Sequence, residues 1–180
     1  MNTVDIVLLA LIFSSVGYYL ISTHYSILFF TEKKQCRKSA AAKLPPVSII
    51  KPITRAELEH IANFISFLAQ DYPCFEVIFC FSKGDDLVVP ALKNLKDRFP
   101  TRDIRWVLAN ENLGPNYKVG NVQAAIREAK YDIVIISDSD MRVRSDYLRT
   151  MVDNLQHNGV GVVTCLYRGV EICNSPQALH

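Results

Sequence analysis

The 180-residue sequence predicts an α/β fold with a mostly parallel sheet, preceded by one membrane-crossing helix. Three observations carry this. Short runs rich in Val and Ile show no polar alternation, as strands buried on both faces do. Each run is followed by a stretch with apolar residues at helical spacing, the pattern of strands joined by crossover helices. Ahead of them, residues 6–30 form an apolar run with no Lys, Arg, Asp or Glu.

As a helix that run would be about 37 Å long, enough to cross a bilayer core of about 30 Å with some tilt. A secretory signal peptide is the alternative, but the first residues carry Asp5 and no Lys or Arg, and the run exceeds a usual signal core. Residues 31–43 then carry Lys33, Lys34, Arg37, Lys38 and Lys43 against Glu32. Basic flanks stay in the cytoplasm, so the following domain is expected to face it. Three alanines and a Pro pair in 39–46 read as a linker.

Residues 47–51 form the first strand, stopped by Pro52, and Thr54 with Glu57 makes a capping box for the next helix. Leu58, Ile61, Ala62, Ile65 and Leu68 supply that helix's apolar face. Residues 75–81 are the second strand; Leu92, Leu95 and Phe99 mark the second helix, and 104–108 the third strand. Val119, Val122, Ala125, Ile126 and Ala129 line the third helix, and 133–137 form the fourth strand. Tyr147, Leu148, Met151, Val152 and Leu155 line the fourth helix, and a strand at 160–165 closes the series.

The formal net charge of +2 is concentrated beside the apolar run, leaving the remainder slightly acidic. A nucleic-acid footprint belongs on the folded domain, so no nucleic acid is expected as partner. The five cysteines are odd in number, with neither a CxxC pair nor metal-finger spacing, and read as reduced thiols.

In doubly wound sheets ligands bind beyond the carboxyl ends of the strands. Those ends carry Lys51 to Thr54 after the first strand, Gly84, Asp85 and Asp86 after the second, and Asp138, Ser139 and Asp140 after the fourth. Gathered carboxylates repel one another unless a cation joins them, and hard oxygen donors suit Mg²⁺ or Mn²⁺. Mg²⁺ commonly completes its shell with water and phosphate oxygens, which points to a phosphate-bearing substrate. In "NLGPNYKVGN", residues 112–121, a Gly-Pro turn precedes a helix start with Lys118 in the opening turn. A cation there opposes the helix dipole unless an anion docks, so Lys118 is either a phosphate contact or a solvated loop lysine.

"VSIIKP", "DYPCFEVIFCFSKGDD", "NLGPNYKVGN" and "YDIVIISDSDMRVRSDYL", in that order, resemble the inverting family 2 glycosyltransferases of GT-A fold. The resemblance is to their ceramide-glucosyltransferase-like branch, which includes enzymes that glycosylate hopanoid lipids, and it covers about residues 1–170. It implies a UDP-sugar donor, a lipid acceptor and a divalent metal. Asp86, with Asp85 beside it, matches the acid near uracil and ribose, and Lys118 and Asn121 match the Asn-x-Lys-x-x-Asn element along the nucleotide. Asp138 matches the first acid of the DxD motif, near ribose and sugar, and Asp140 the second, which holds the metal. Arg142 fits the branch's pattern as loop support.

The family's later acid, its general base, and its Gln/Arg-x-x-Arg-Trp motif have no match here; the one Trp is Trp106, in the third strand. The expected division is a transmembrane anchor at 1–30, a basic juxtamembrane linker at 31–46 and the donor half of a GT-A domain at 47–180. Such a chain is expected to be a fragment, a truncated product or one part of a split enzyme, with no catalytic base assigned. Asp146, Asp153 and Glu171 are the first acids to examine for that role. Two other readings stand beside it: a silent nucleotide-sugar-binding or partner subunit, and a receiver-type signalling domain. The last lacks the expected late strand-end Lys and leaves Asn116, Lys118 and Asn121 unexplained.

Overall fold

The computed structural model describes residues 2–31, 44–53, 61–82, 88–109 and 116–169. The basic cluster, the Thr54 and Glu57 pair, Asp85, Asp86 and Glu171 lie outside the described residues. Contacts divide the chain into two units, Met1–Ala40 and Ala41–His180.

The first unit contains α1, Thr3–Thr31. Twenty-nine residues give about 43 Å of helix, and none of its side chains is buried. It is long and apolar enough to cross a membrane. Two of its hydroxyls turn inward on its own backbone: Ser14 donates to the Leu11 carbonyl at 3.3 Å and Thr31 to the Ile27 carbonyl at 2.7 Å. That return bonding leaves these polar groups satisfied without water.

The second unit runs β1 (Val47–Pro52), α2 (Ile61–Leu68), β2 (Phe75–Ser82), α3 (Val88–Arg98), β3 (Asp103–Ala109), α4 (Tyr117–Arg127), β4 (Ile133–Ile136) and α5 (Tyr147–Leu155). The sheet order is β3-β2-β1-β4, and every pairing is parallel. Alternate residues face opposite layers. Ile49, Val77, Phe79, Ile104 and Ile135 pack on Phe64, Phe67, Leu92, Leu148 and Val152 of α2, α3 and α5. Ile50, Ile78 and Cys80 pack on Ala125 and Val122 of α4. Burial pushes the Cys80 thiol up to about 12, as befits an unreactive core residue.

The α4 side of the sheet also buries a charge at the strands' amino ends. Glu76 is 0% exposed and accepts from Ser48 Oγ at 2.6 Å, the Lys130 amide at 2.7 Å and Arg105 Nε at 2.9 Å. Arg105 in turn donates to the Glu128 carbonyl at 2.7 Å. One carboxylate thereby ties β1, β2 and β3 to the exit of α4.

Two sequence expectations are corrected. The core face of α2 is Phe64, Phe67 and Leu68, while Ile61 and Ala62 are exposed. Beside that face the contacts are polar: Ser66 Oγ accepts from the Val143 amide at 3.1 Å, and Gln70 Nε2, two residues past the helix, donates to the Arg144 carbonyl at 2.7 Å. Residues 160–165 form no strand; Val162, Leu166 and Tyr167 stand 79%, 71% and 76% exposed. Gly159, at φ +82°, and Gly161 break the run on either side of Val160, and glycine weakens strand pairing. The segment instead helps line a cavity of about 290 Å³ with β4 and α5, through Ile133, Ile135, Met151 and Val162. Among the described residues β4 therefore pairs with β1 alone.

Candidate functional site

Strand order reverses between β1 and β4, because α2 and α3 carry the chain outward on one face and α4 returns it across the other. A crevice opens at such a switch point beyond the strands' carboxyl ends. The β1 to β4 ladder continues one step past β4, with the Ser137 amide on the Ile50 carbonyl at 3.0 Å. The chain then leaves the sheet at Asp138.

Ser137 and Ser139 are buried at 9% and 3% exposure, whereas Asp138 is half-buried and Asp140 exposed. The alternation turns both carboxylates away from the core. The Met141 amide reaches back to the Asp138 carbonyl at 3.3 Å and closes a turn over Asp138 to Met141. From below, Lys51 Nζ donates to the same carbonyl at 2.7 Å, and Asn63 Nδ2 of α2 donates to the Asp140 carbonyl at 3.1 Å.

Lys118 joins Asp138 from α4. Asn116 caps that helix, its Oδ1 accepting from the Lys118 amide at 3.1 Å and the Val119 amide at 3.3 Å. This fixes the first turn, and Lys118 Nζ lies 2.6 Å from Asp138 Oδ1. The anion that a lysine at a helix start calls for is here the Asp138 carboxylate itself. Both partners are about half exposed, so the pair contributes at most about 1 kcal/mol and can be exchanged for other partners at little cost. One turn on, the buried Asn121 accepts from Ser82 Oγ at 3.0 Å, at the end of β2.

The structure thus brings together Asp138, Asp140, Lys118 and Asn121 at the carboxyl edge of the sheet. Asp85 and Asp86 follow Ser82 by three and four residues and lie outside the described residues. Among the described residues no group of three or more His, Cys, Asp or Glu could hold a metal. The donor set is two hard carboxylates one residue apart, which fits Mg²⁺ or Mn²⁺ completed by phosphate oxygens and water and fits poorly a metal that wants a full protein cage.

Asp146 is a weak candidate for a base. Arg144 donates to both its oxygens, at 3.0 and 2.6 Å, and holds its carboxyl below the usual carboxylate range. Asn63 was missed as a site residue by sequence reasoning, and Lys51 was named there only as one of the strand-end groups. Lys51 was visible as a charged residue in an apolar strand; Asn63 carried no signal, because its partner lies 77 residues away.

Comparison with known proteins adds three findings. The sequence model described as Glycosyl transferase family 21 matches residues 7–179. Ceramide glucosyltransferase 3 of Caenorhabditis elegans is 35% identical over 124 residues, covering 68% of this chain and 27% of that protein. Ceramide glucosyltransferase 1 of the same organism is 31% identical over 172 residues, 94% of this chain and 35% of that protein. The chain therefore spans between a quarter and two fifths of the length of these relatives. Among solved structures, a mannosyltransferase from Pyrobaculum calidifontis in complex with GDP-Man and Mn²⁺ superposes with a TM-score of 0.61 at 24% identity, covering 86% of this chain and 47% of that one. S. aureus TarS 1–349 in complex with UDP-GlcNAc superposes at 0.50 and 21% identity, covering 72% and 41%. These likenesses show the fold, an α/β domain of GT-A type, as the motifs led one to expect.

Proposed function

The chain belongs to glycosyl transferase family 21, and from that premise we propose that it is the donor-binding part of a membrane-anchored, inverting glycosyltransferase. Its donor is a UDP-sugar and its acceptor a lipid of ceramide or hopanoid type. The observation that carries this reading is the meeting of Asp138, Asp140 and Lys118 at the switch point of the sheet. Ceramide glucosyltransferases among the relatives support the lipid acceptor.

In this reading Asp140 is the metal ligand, Asp138 lies near ribose and sugar, and Lys118 and Asn121 run along the nucleotide, with Asp85 and Asp86 near the base. A divalent cation bound there would neutralise charge on the departing diphosphate. Lys118 acts with it: released from Asp138, its ammonium is available to phosphate oxygens. The buried strand and the capped helix hold these groups in place before the donor arrives, so little ordering cost remains at binding. A proton acceptor for the lipid hydroxyl is not assigned to any residue of the chain.

Titration of UDP-glucose or UDP-N-acetylglucosamine into the full chain by calorimetry is the test. Binding is expected with Mn²⁺ or Mg²⁺ and should be much weaker in EDTA. Equal heats in both conditions, or none in either, would reject the metal-dependent donor site.

Anchoring rests on the length and apolarity of α1, and orientation on the basic residues that follow it in sequence. A protease added to inside-out vesicles should digest the second unit, while intact right-side-out cells should protect it. The reverse pattern would remove the cytoplasmic placement, and with it ready access to cytosolic UDP-sugars.

A further inference from the structure

Both acids of the Asp138 to Asp140 loop have their own main-chain carbonyls gripped by a side chain from elsewhere: Asp138 by Lys51 and Asp140 by Asn63. We propose that Lys51 and Asn63 are positioning residues, which aim the two carboxylates and so set the affinity of the site for a divalent cation carrying a nucleoside diphosphate. The inference rests on the donor-site reading above and adds to it two residues that touch neither metal nor donor.

Lys51 occupies a position where an apolar residue would pack with ease. It is the fifth residue of β1, 0% exposed, on the face that packs against α2. Its Nζ lies 3.7 Å from the centroid of the Phe67 ring, and its stem is enclosed by core side chains. Withdrawing an ammonium from water is costly unless charged or polar partners receive it. A Val or Ile here would remove that cost but would offer the loop no donor. What the lysine adds is a charge-assisted hydrogen bond, 2.7 Å long, to the carbonyl that closes the Asp138 to Met141 turn. The ring contact supplies further stabilisation for the cation.

Asn63 does the equivalent work from outside. It sits on the polar side of α2, in line with Ser66 and Gln70, which hold the Val143 amide and the Arg144 carbonyl. Two side chains of one short helix, Asn63 and Ser66, with Gln70 two residues past its end, thus hold the main chain from 140 to 144. Buried Ser139 faces inward between the two acids. With the carbonyls on either side of it fixed, the Cα–Cβ directions of Asp138 and Asp140 are fixed against the sheet, while the carboxylate of Asp140 keeps its oxygens for ligation. Outer partners of this kind orient metal ligands, and their removal typically costs about 10- to 100-fold in affinity.

The experiment compares the full chain in detergent micelles with Asn63→Ala and Lys51→Met. Asn63 is half-buried and gives up a single hydrogen bond, so Asn63→Ala keeps the test decisive even where Lys51→Met fails to fold. Affinity for UDP is measured with saturating Mn²⁺ and again in EDTA, and the electron paramagnetic resonance spectrum of the bound Mn²⁺ is recorded. Each variant is expected to bind UDP about tenfold more weakly in Mn²⁺, to match the unaltered chain within about twofold in EDTA, and to show an altered Mn²⁺ spectrum. Simple loss of stability would lower both affinities together and leave the spectrum of the remaining bound metal unchanged, and that outcome overturns the proposal. So does wild-type affinity in Mn²⁺ for a folded Asn63→Ala. Absence of metal-dependent UDP binding in the unaltered chain would instead overturn the donor-site reading, and this inference with it.

Discussion

Glu76→Ala is expected to destabilise the second unit by about 3–5 kcal/mol, the range observed when one partner of a buried charge pair is removed. The carboxylate accepts four hydrogen bonds, from Ser48, the Lys130 amide and two guanidinium nitrogens of Arg105. Its loss strands all of these donors at once and leaves a cavity at a site that is 0% exposed. Domains of this size are stable by about 5–15 kcal/mol in total, so the substitution consumes a large share. A fall of roughly 10 °C in Tm should accompany it.

The ion pair itself is a different matter from its rupture. Arg105 is 28% exposed at its side chain, so water already reaches part of the guanidinium, and Arg105→Met would leave the worse orphan, a carboxylate with 0% exposure. Replacing both at once, Glu76→Leu with Arg105→Met, should recover much of the loss, because two apolar groups need no partners. Urea titration of the unaltered chain, Glu76→Ala, Arg105→Met and the double variant in one detergent makes the comparison. A Glu76→Ala cost below about 1 kcal/mol, or a double variant no better than the single one, would show that the network does not hold the strands to the end of α4 as argued.

The strands were legible in the sequence to within a residue or two because each is a compact apolar run without polar alternation, as 75–81 and 133–137 illustrate. The start of α4 was legible because the Gly-Pro pair marks it locally in the sequence, and Asn116 is found capping it there. What failed to show was whatever depends on partners distant in sequence. On α2, counting apolar residues favoured Ile61 and Ala62, yet the helix turns Phe64 and Phe67 inward, which sets Asn63 and Ser66 beside them against residues 140–143. Residues 160–165 read as a strand on β-branched content, but pairing needs an edge in register, and Gly159 and Gly161 bend the run away from regular pairing along β4. For Lys51 and Glu76, only the fold shows that the one holds the Asp138 carbonyl and the other the half-buried guanidinium of Arg105. In the site, the DxD acids were visible as a pair at a strand end, whereas the contact between Lys118 and Asp138 spans 20 residues and an entire crossover helix.

That contact makes the two acids distinguishable by experiment. Asp140→Asn should abolish the gain in UDP affinity that Mn²⁺ provides, a loss of at least the 10- to 100-fold that removal of an outer partner costs, since here a ligand oxygen's charge itself is removed. In EDTA the same variant should bind UDP as the unaltered chain does, because no metal takes part. Asp138→Asn should differ from it in EDTA. The Lys118 ammonium, 2.6 Å from Asp138 Oδ1, would lose its anionic partner at the first turn of a helix, where a cation is unfavourable by itself. A diphosphate is then its best available counter-ion. Metal-free UDP affinity should therefore rise in Asp138→Asn, by about 2- to 5-fold for an exposed pair worth at most about 1 kcal/mol. Adding Lys118→Met to Asp138→Asn should cancel the rise, and salt at 0.5 M should shrink it, since screening acts strongly on exposed charges. Calorimetry on the four proteins, each with Mn²⁺ and with EDTA, reads all of these changes. Identical metal-free affinities in Asp138→Asn and Asp140→Asn would mean that Lys118 serves only as a surface partner of Asp138, and that the phosphate is held elsewhere.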